Sequence, residues 1–221
     1  MSLLERRTKA DWQELDNDHY MHPFTDHKDL GEKKSRIIAK ANGVYIYDVD
    51  DNEILDAMSG LWCVNAGYGR SELADAAAEQ LRELPYYNSF FQCANPPSIE
   101  LAQMLKEVTQ PHLNRVFYTG SGSESIDTMI RIVRRYWEVK GEPERKTIIA
   151  RKNAYHGSTI AGVSLGGMNP MHSQGGPLLP GIEHIDQPYW FDSDRSLPPA
   201  EFGIKMAGQL EEKILQLGAE N

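Results

Sequence analysis

Residues 119–125 read TGSGSES, set between an apolar run (Val116, Phe117, Tyr118) and a stretch with helical periodicity. A glycine-bearing turn that opens a helix lets several backbone N–H groups converge on one point. The helix N-terminus adds about half a positive charge there. Ser121 and Ser123 supply hydroxyl donors, and the sum is an anion site suited to one phosphate monoester. Ser121 and Glu124 also fit a capping box. Capping accounts for one serine and Glu124, but not for two glycines in four residues. No G-x-x-x-x-G-K-[ST] loop is present, and the third glycine of the dinucleotide fingerprint is missing. What remains is a single phosphate on a small cofactor.

Some thirty residues on stands RKNAYHGST, directly after the apolar run of KTIIAR. In a parallel sheet, ligands collect at the C-terminal ends of the strands. The Gly-Ser turn and Tyr155 would then share one end of the sheet. An aromatic ring there can cover a flat cofactor whose phosphate rests on the turn; packing and loop hydrogen bonding are the plainer roles for Tyr155 and His156.

The elements that must hold these residues follow from periodicity. Residues 115–119 read as a strand. Residues 124–139 place Ile126, Met129, Ile130, Val133 and Trp137 on one helical stripe, and residues 146–151 read as a strand buried on both faces. That βαβ unit implies a mainly parallel sheet. A further strand is expected at 182–185, and a last helix carries Phe202, Met206, Leu210, Ile214 and Leu217 up to Gly218. Upstream, the spacing predicts a short helix with Trp12 and Leu15, and a hairpin turning at Asp50-Asp51-Asn52. Helices are also expected from Ser71 to Pro85 and from Pro96 to Pro111.

The 221 residues carry 23 basic and 32 acidic side chains, a net charge of −9, which speaks against nucleic acid as a partner. Arg6-Arg7 and Arg134-Arg135 read as solvated faces. No apolar run reaches the ~18–20 residues that span a bilayer, and the N-terminus lacks a secretory h-region. Cys63 and Cys93 sit in apolar surroundings without framework spacing and read as buried, reduced thiols, as in the cytoplasm. His19 and His22 lack a third ligand for a metal.

Several blocks, in order, carry a resemblance: ILDAMSGLWCVNAGYGR, LPYYNSFFQCANPPSIELA, VFYTGSGSESIDTMIRIVRRYW, NAYHGSTIAGVSLGGM and GIEHIDQPYWF. Together they closely resemble the class III aminotransferases, and among them the ω-transaminases that pass an amino group from an amine or ω-amino acid to pyruvate. The resemblance implies pyridoxal 5′-phosphate as cofactor and the α/β fold type I: a three-layer α/β/α large domain, a smaller domain and a homodimer. Residues 1–60 would belong to the small domain and 61–221 to the first part of the large one. Carried over, Gly122 and Ser123, with Ser121 beside them, would hold the cofactor phosphate. Tyr155 would stack on its ring. Phe24, Trp62 and Phe90 would line the substrate pocket, with Phe90 reaching across the dimer interface; core packing is the alternative for these three.

In that family the cofactor-bonding lysine, the aspartate on the pyridine nitrogen and the arginine for the substrate carboxylate follow later in the chain. No segment here matches the family's lysine segment, and Lys152, three residues before Tyr155, does not resemble it. The expectation is therefore an N-terminal part of such an enzyme, poorly folded and inactive by itself. A non-catalytic anion-binding remnant or inactive dimer partner is the alternative.

Overall fold

The computed structural model describes residues 7–192 and 195–221. Arg6, half of one basic pair read from the sequence, lies outside them. The chain divides into two compact units, Met1–Ile99 and Glu100–Asn221.

The first unit opens with α1 (Lys9–His19), closed by a capping box between Thr8 and Asp11. Then follow α2 (His27–Lys33), β1 (Ile38–Asn42), β2 (Tyr45–Asp48) and β3 (Glu53–Leu55), an antiparallel sheet in the order β1-β2-β3. The expected hairpin is β2–β3; β1 was not foreseen. Asp48 fixes the hairpin turn by accepting from the amides of Asp50 and Asn52 and from the Asn52 side chain. After a short turn at Ser59–Trp62 (α3) comes α4 (Ser71–Glu83), where the leucine and alanine spacing placed it. The helix α5 (Pro96–Val108) spans the division between the units.

The second unit is built on α6 (Gly122–Val139), β4 (Ile148–Arg151), α7 (Ile160–Leu165), α8 (Asn169–His172), β5 (Ile182–Ile185) and α9 (Pro199–Leu217). Strands β4 and β5 pair in parallel, Ile148 opposite Ile182 and Arg151 opposite Ile185. Ile130 of α6, Ala150 of β4, and Ala161 and Leu165 of α7 form the core, with Ile126, Ile148, Leu179 and Ile182 packed against it. Ser164 is the most deeply buried side chain, 1 % exposed, and is satisfied on both sides. Its hydroxyl donates to the Ile160 carbonyl (2.6 Å) and accepts from the Leu179 amide (2.9 Å).

Three expectations are corrected. Residues 115–119 are not a strand. A strand exists through its ladder, this segment pairs with no strand among the described residues, and Val116, Phe117 and Tyr118 are exposed. The parallel unit is therefore β4–α7–α8–β5, one crossover later in the chain. Arg134 is a strut rather than a solvated charge: its guanidinium donates to the carbonyls of Lys146 and Pro180, tying α6 to the approaches of both strands. Cys63 is exposed and Cys93 half-buried; both are free thiols, because the apolar residues around them are themselves exposed. The apolar stripes are only partly covered. Of its stripe, α6 buries Ile130, half-buries Ile126, Val133 and Trp137 and leaves Met129 exposed; α9 buries Phe202 and Met206 and half-buries Leu217, while Leu210 and Ile214 are exposed.

Candidate cofactor-binding site

The first turn of α6 decides what the Gly-Ser segment can hold. Ser121 is the N-cap, extended at φ −159°, and its hydroxyl accepts from the Glu124 amide (3.1 Å). The Glu124 carboxylate returns to the amide of Gly120 (2.7 Å), one residue earlier than a standard capping box. The amide of Ser125 donates to the Ser121 carbonyl. Two amides of the turn, Gly122 and Ser123, have no acceptor within the helix, because the first N–H groups of any helix lack one. A Cβ on Gly122 would meet nothing within 4 Å, so the turn is uncrowded at that residue. Open donors, a helix N-terminus and an adjacent hydroxyl fit the chemistry of a phosphate dianion.

The loop bearing Tyr155 is fixed to this turn from one side and to β4 from the other. The Ser158 amide donates to Ser123 Oγ (3.1 Å), which leaves that hydroxyl its own proton to give elsewhere. One helical turn on, Asp127 accepts from the Thr159 hydroxyl (2.6 Å), and the same Thr159 oxygen caps α7 by accepting from the Gly162 amide. On the β4 side, Gly167 donates to the Ala154 carbonyl and accepts from the Asn153 amide, both at 2.9 Å. The imidazoles of His172 and His184 converge on the Gly166 carbonyl, at 2.7 and 2.8 Å. Ser121, Gly122, Ser123 and the Tyr155 loop are thus one assembly, although the strand expected to align them is absent. Tyr155 itself is 56 % exposed.

Asp127, Thr159 and Gly167 were missed by sequence reasoning. Thr159 carried a usable signal, a threonine directly before a short apolar helix; the other two act through three-dimensional contact only.

Phe24, Trp62 and Phe90 lie in the other unit, 71, 77 and 71 % exposed. Within this chain none of the three is buried. Phe90 touches Phe91, with ring centroids 6.2 Å apart. Phe24 sits at φ 50° in a loop where the His22 amide donates to His27 Nε2 (2.9 Å) and the His22 ring meets Asp16 (2.9 Å).

Lys152 is occupied. Its ammonium lies 2.6 Å from Asp186, whose carboxylate also accepts from Gln209 of α9. The Lys152 hydrogen bond first, and Gln209 second, hold the Asp186 carboxyl below its usual value of 3.8. A carboxyl depressed in the folded state stabilises it at neutral pH and loses that contribution as pH falls below the ordinary carboxylate range. Asp186→Asn is therefore expected to lower the melting temperature at about pH 6. Its gap to the parent protein should close as pH falls toward roughly 2, as thermal melts across that range would show.

The sequence profile described as aminotransferase class-III matches residues 29–212. Among curated relatives, the putrescine–pyruvate aminotransferase of Pseudomonas aeruginosa is 58 % identical over 220 residues, covering 100 % of this chain and 48 % of that protein. The mitochondrial gamma-aminobutyrate transaminase 1 of Oryza sativa subsp. indica is 38 % identical over 200 residues, 90 % of this chain and 39 % of the relative. The chain thus spans about half the length of the curated relatives it matches. Among solved structures, an (S)-enantioselective ω-transaminase from Thermomicrobium roseum superposes with a TM-score of 0.91 at 37 % identity, over 97 % of this chain and 47 % of that one. The ω-transaminase of Pseudomonas jessenii in complex with PMP gives 0.88 at 34 % identity, over 94 % and 46 %. These neighbours have the α/β fold of the pyridoxal-phosphate transaminases, here as a partial domain, and the chain belongs to the class-III aminotransferase family.

Proposed function

We propose that the intact protein carrying this sequence is a pyridoxal-phosphate aminotransferase that moves an amino group from an amine, diamine or ω-amino acid to pyruvate. The observation that carries the cofactor assignment is the helix start at Gly122 and Ser123, whose amides have no acceptor within the helix, braced through Ser158 and Asp127 against the loop of Tyr155. A diamine stands first among donors on the 58 % identity to the putrescine–pyruvate enzyme. When bound, the cofactor supplies the electron sink and the temporary store for the amino group.

The residues of this chain bind and orient it. The amides of Gly122 and Ser123 and the Ser123 hydroxyl hold the phosphate, with Ser121 keeping the turn extended. Tyr155 covers one ring face. Phe24, Trp62 and Phe90 shape the donor pocket in a homodimer, Phe90 from across the interface. Lys152, paired to Asp186, is not assigned the cofactor-bonding role, and no turnover is expected of the 221 residues alone.

Gly122→Pro tests the assignment. Proline is tolerated at the first helical position, and extended Ser121 is the backbone a pre-proline residue prefers. The substitution deletes one amide donor and leaves α6 intact. Pyridoxamine phosphate, which binds without a covalent bond, is expected to bind the intact protein roughly 10- to 100-fold more weakly, as for a lost hydrogen bond to a charged group. Unchanged affinity by titration calorimetry would place the phosphate elsewhere.

A further inference from the structure

Four consecutive residues, Ser59, Gly60, Leu61 and Trp62, have φ of 51°, 58°, 60° and 66°. The helical turn they form is left-handed. For an L-residue that conformation is disfavoured by the approach of Cβ to the following carbonyl, and it normally occurs as single residues, not runs. Three of the four are not glycine. A run of this kind persists only where its surroundings enforce it.

What enforces it is Asp56. One carboxylate oxygen, Oδ2, accepts from the Gly60 amide inside the run (2.7 Å) and from the Tyr68 hydroxyl (2.8 Å). The Tyr68 hydrogen bond first, then the Gly60 amide, hold the Asp56 carboxyl below its usual value, with smaller help from the Met58 and Ser59 amides. Tyr68 is itself anchored. Its backbone exchanges hydrogen bonds with Gly43, between β1 and β2, at 2.8 and 3.1 Å. Around the run, the Ser59 amide donates to the Asp56 carbonyl, the Trp62 amide to Met58, and the amides of Cys63 and Val64 both to Ser59. A Cβ on Gly60 would fall 2.6 Å from Val64 Cγ2 and 3.1 Å from the Tyr68 hydroxyl, so the turn closes tightly on its clamp.

Trp62 ends this run with its side chain 77 % exposed. The backbone of Trp62 sets the direction in which its Cα–Cβ bond leaves the turn, and so the region its rotamers can reach. We propose that Asp56 and Tyr68 are positioning residues that hold the left-handed turn and so aim Trp62, setting which amine donors are accepted. The proposal rests on the reading of Trp62 as a donor-pocket residue.

The test uses the intact protein with pyruvate as acceptor, a small aliphatic diamine and a bulky arylalkyl amine as donors, and the ¹⁹F resonance of Trp62 labelled with 5-fluorotryptophan. In Asp56→Ala the resonance is expected to broaden or split. The ratio of kcat/KM values for the two donors should shift about tenfold, mainly through KM, as for loss of a hydrogen bond to a charged group. Tyr68→Phe, which leaves the Gly60 contact in place, should shift both in the same direction by less. Asp56→Asn, which keeps an acceptor oxygen, should restore most of the wild-type behaviour. A single sharp resonance and an unchanged ratio in Asp56→Ala overturn the proposal. Should Asp56→Ala fail to fold, Tyr68→Phe decides by the same two readings. Trp62→Ala separates the underlying reading. If it leaves the donor ratio unchanged, Trp62 is not a selectivity residue and the claim on donor choice falls with it, while the ¹⁹F result still decides whether Asp56 aims the ring.

Discussion

Gly167→Ala is expected to destabilise the Glu100–Asn221 unit by about 3–5 kcal/mol. A Cβ at this position would strike the Arg151 carbonyl oxygen and lie 2.5 Å from Lys152 Cα and 2.8 Å from the Asn153 amide. All three are backbone atoms at the end of β4, so no side chain can swing away and the strand end itself must move. Overpacking of a well-formed site costs typically ~1–3 kcal/mol. Displacing Gly167 also breaks its two hydrogen bonds to Asn153 and Ala154, each contributing about 1 kcal/mol. Folded domains hold only ~5–15 kcal/mol in reserve. Urea unfolding of the intact protein should show the midpoint fall with little change in slope; a shift under about 1 kcal/mol would mean that β4 does not end as described.

Gly157→Ala is expected to damage the candidate site more than the fold. Gly157 has φ 122°, a region closed to L-residues in practice, and its Cα lies against the first turn of α6. An added Cβ would fall 2.6 Å from Ser123 Oγ, 2.8 Å from Ser123 Cα and 3.0 Å from Ser123 Cβ. Backbone strain of about 1–3 kcal/mol adds to the clash. The loop is expected to relieve both by withdrawing from α6, which breaks the Ser158 amide's bond to Ser123 and uncouples Tyr155 from the anion site. The measurable result is loss of pyridoxamine phosphate binding by roughly 100-fold or more, for a total penalty near 3 kcal/mol. Inorganic phosphate, which needs only the α6 turn, should weaken by less than tenfold. Equal weakening of the two ligands would mean that the loop and the turn are not a joint site.

The sequence carried the long helices well, because each announces itself by its own stripe and stops, whereas the short α2, α7 and α8 were not read from it. α4 ends before Pro85 and α9 at Gly218 where side-chain chemistry requires it. Strands were less legible, since a strand is completed by residues elsewhere. The short apolar run in 115–119 looks like a strand to any local reading, and β1, with its lysine and asparagine, does not. The same difference separates the parts of the site. Ser121, Gly122 and Ser123 were recognisable because glycine, serine and a helix start occur together in one heptapeptide. Asp127, Thr159 and Gly167 matter only through what they touch. Asp56 is the extreme case: nothing in LDAMSGLW, apart from Gly60, announces four left-handed residues in succession.

The parallel pair β4–β5 has a consequence for the order of folding. Its partners, Ile148 and Ile182, are 34 residues apart, and α7 and α8 fill the interval. Loop-closure entropy grows only with the logarithm of length, so a crossover this short closes early and needs no distant segment. Residues 115–119 are in the opposite position, with Phe117 67 % exposed and no ladder to join among the described residues. During synthesis, the β4–β5 crossover would therefore form a nucleus while the apolar segment ahead of α6 stays adhesive. That interval is the one in which a chaperone would hold the chain.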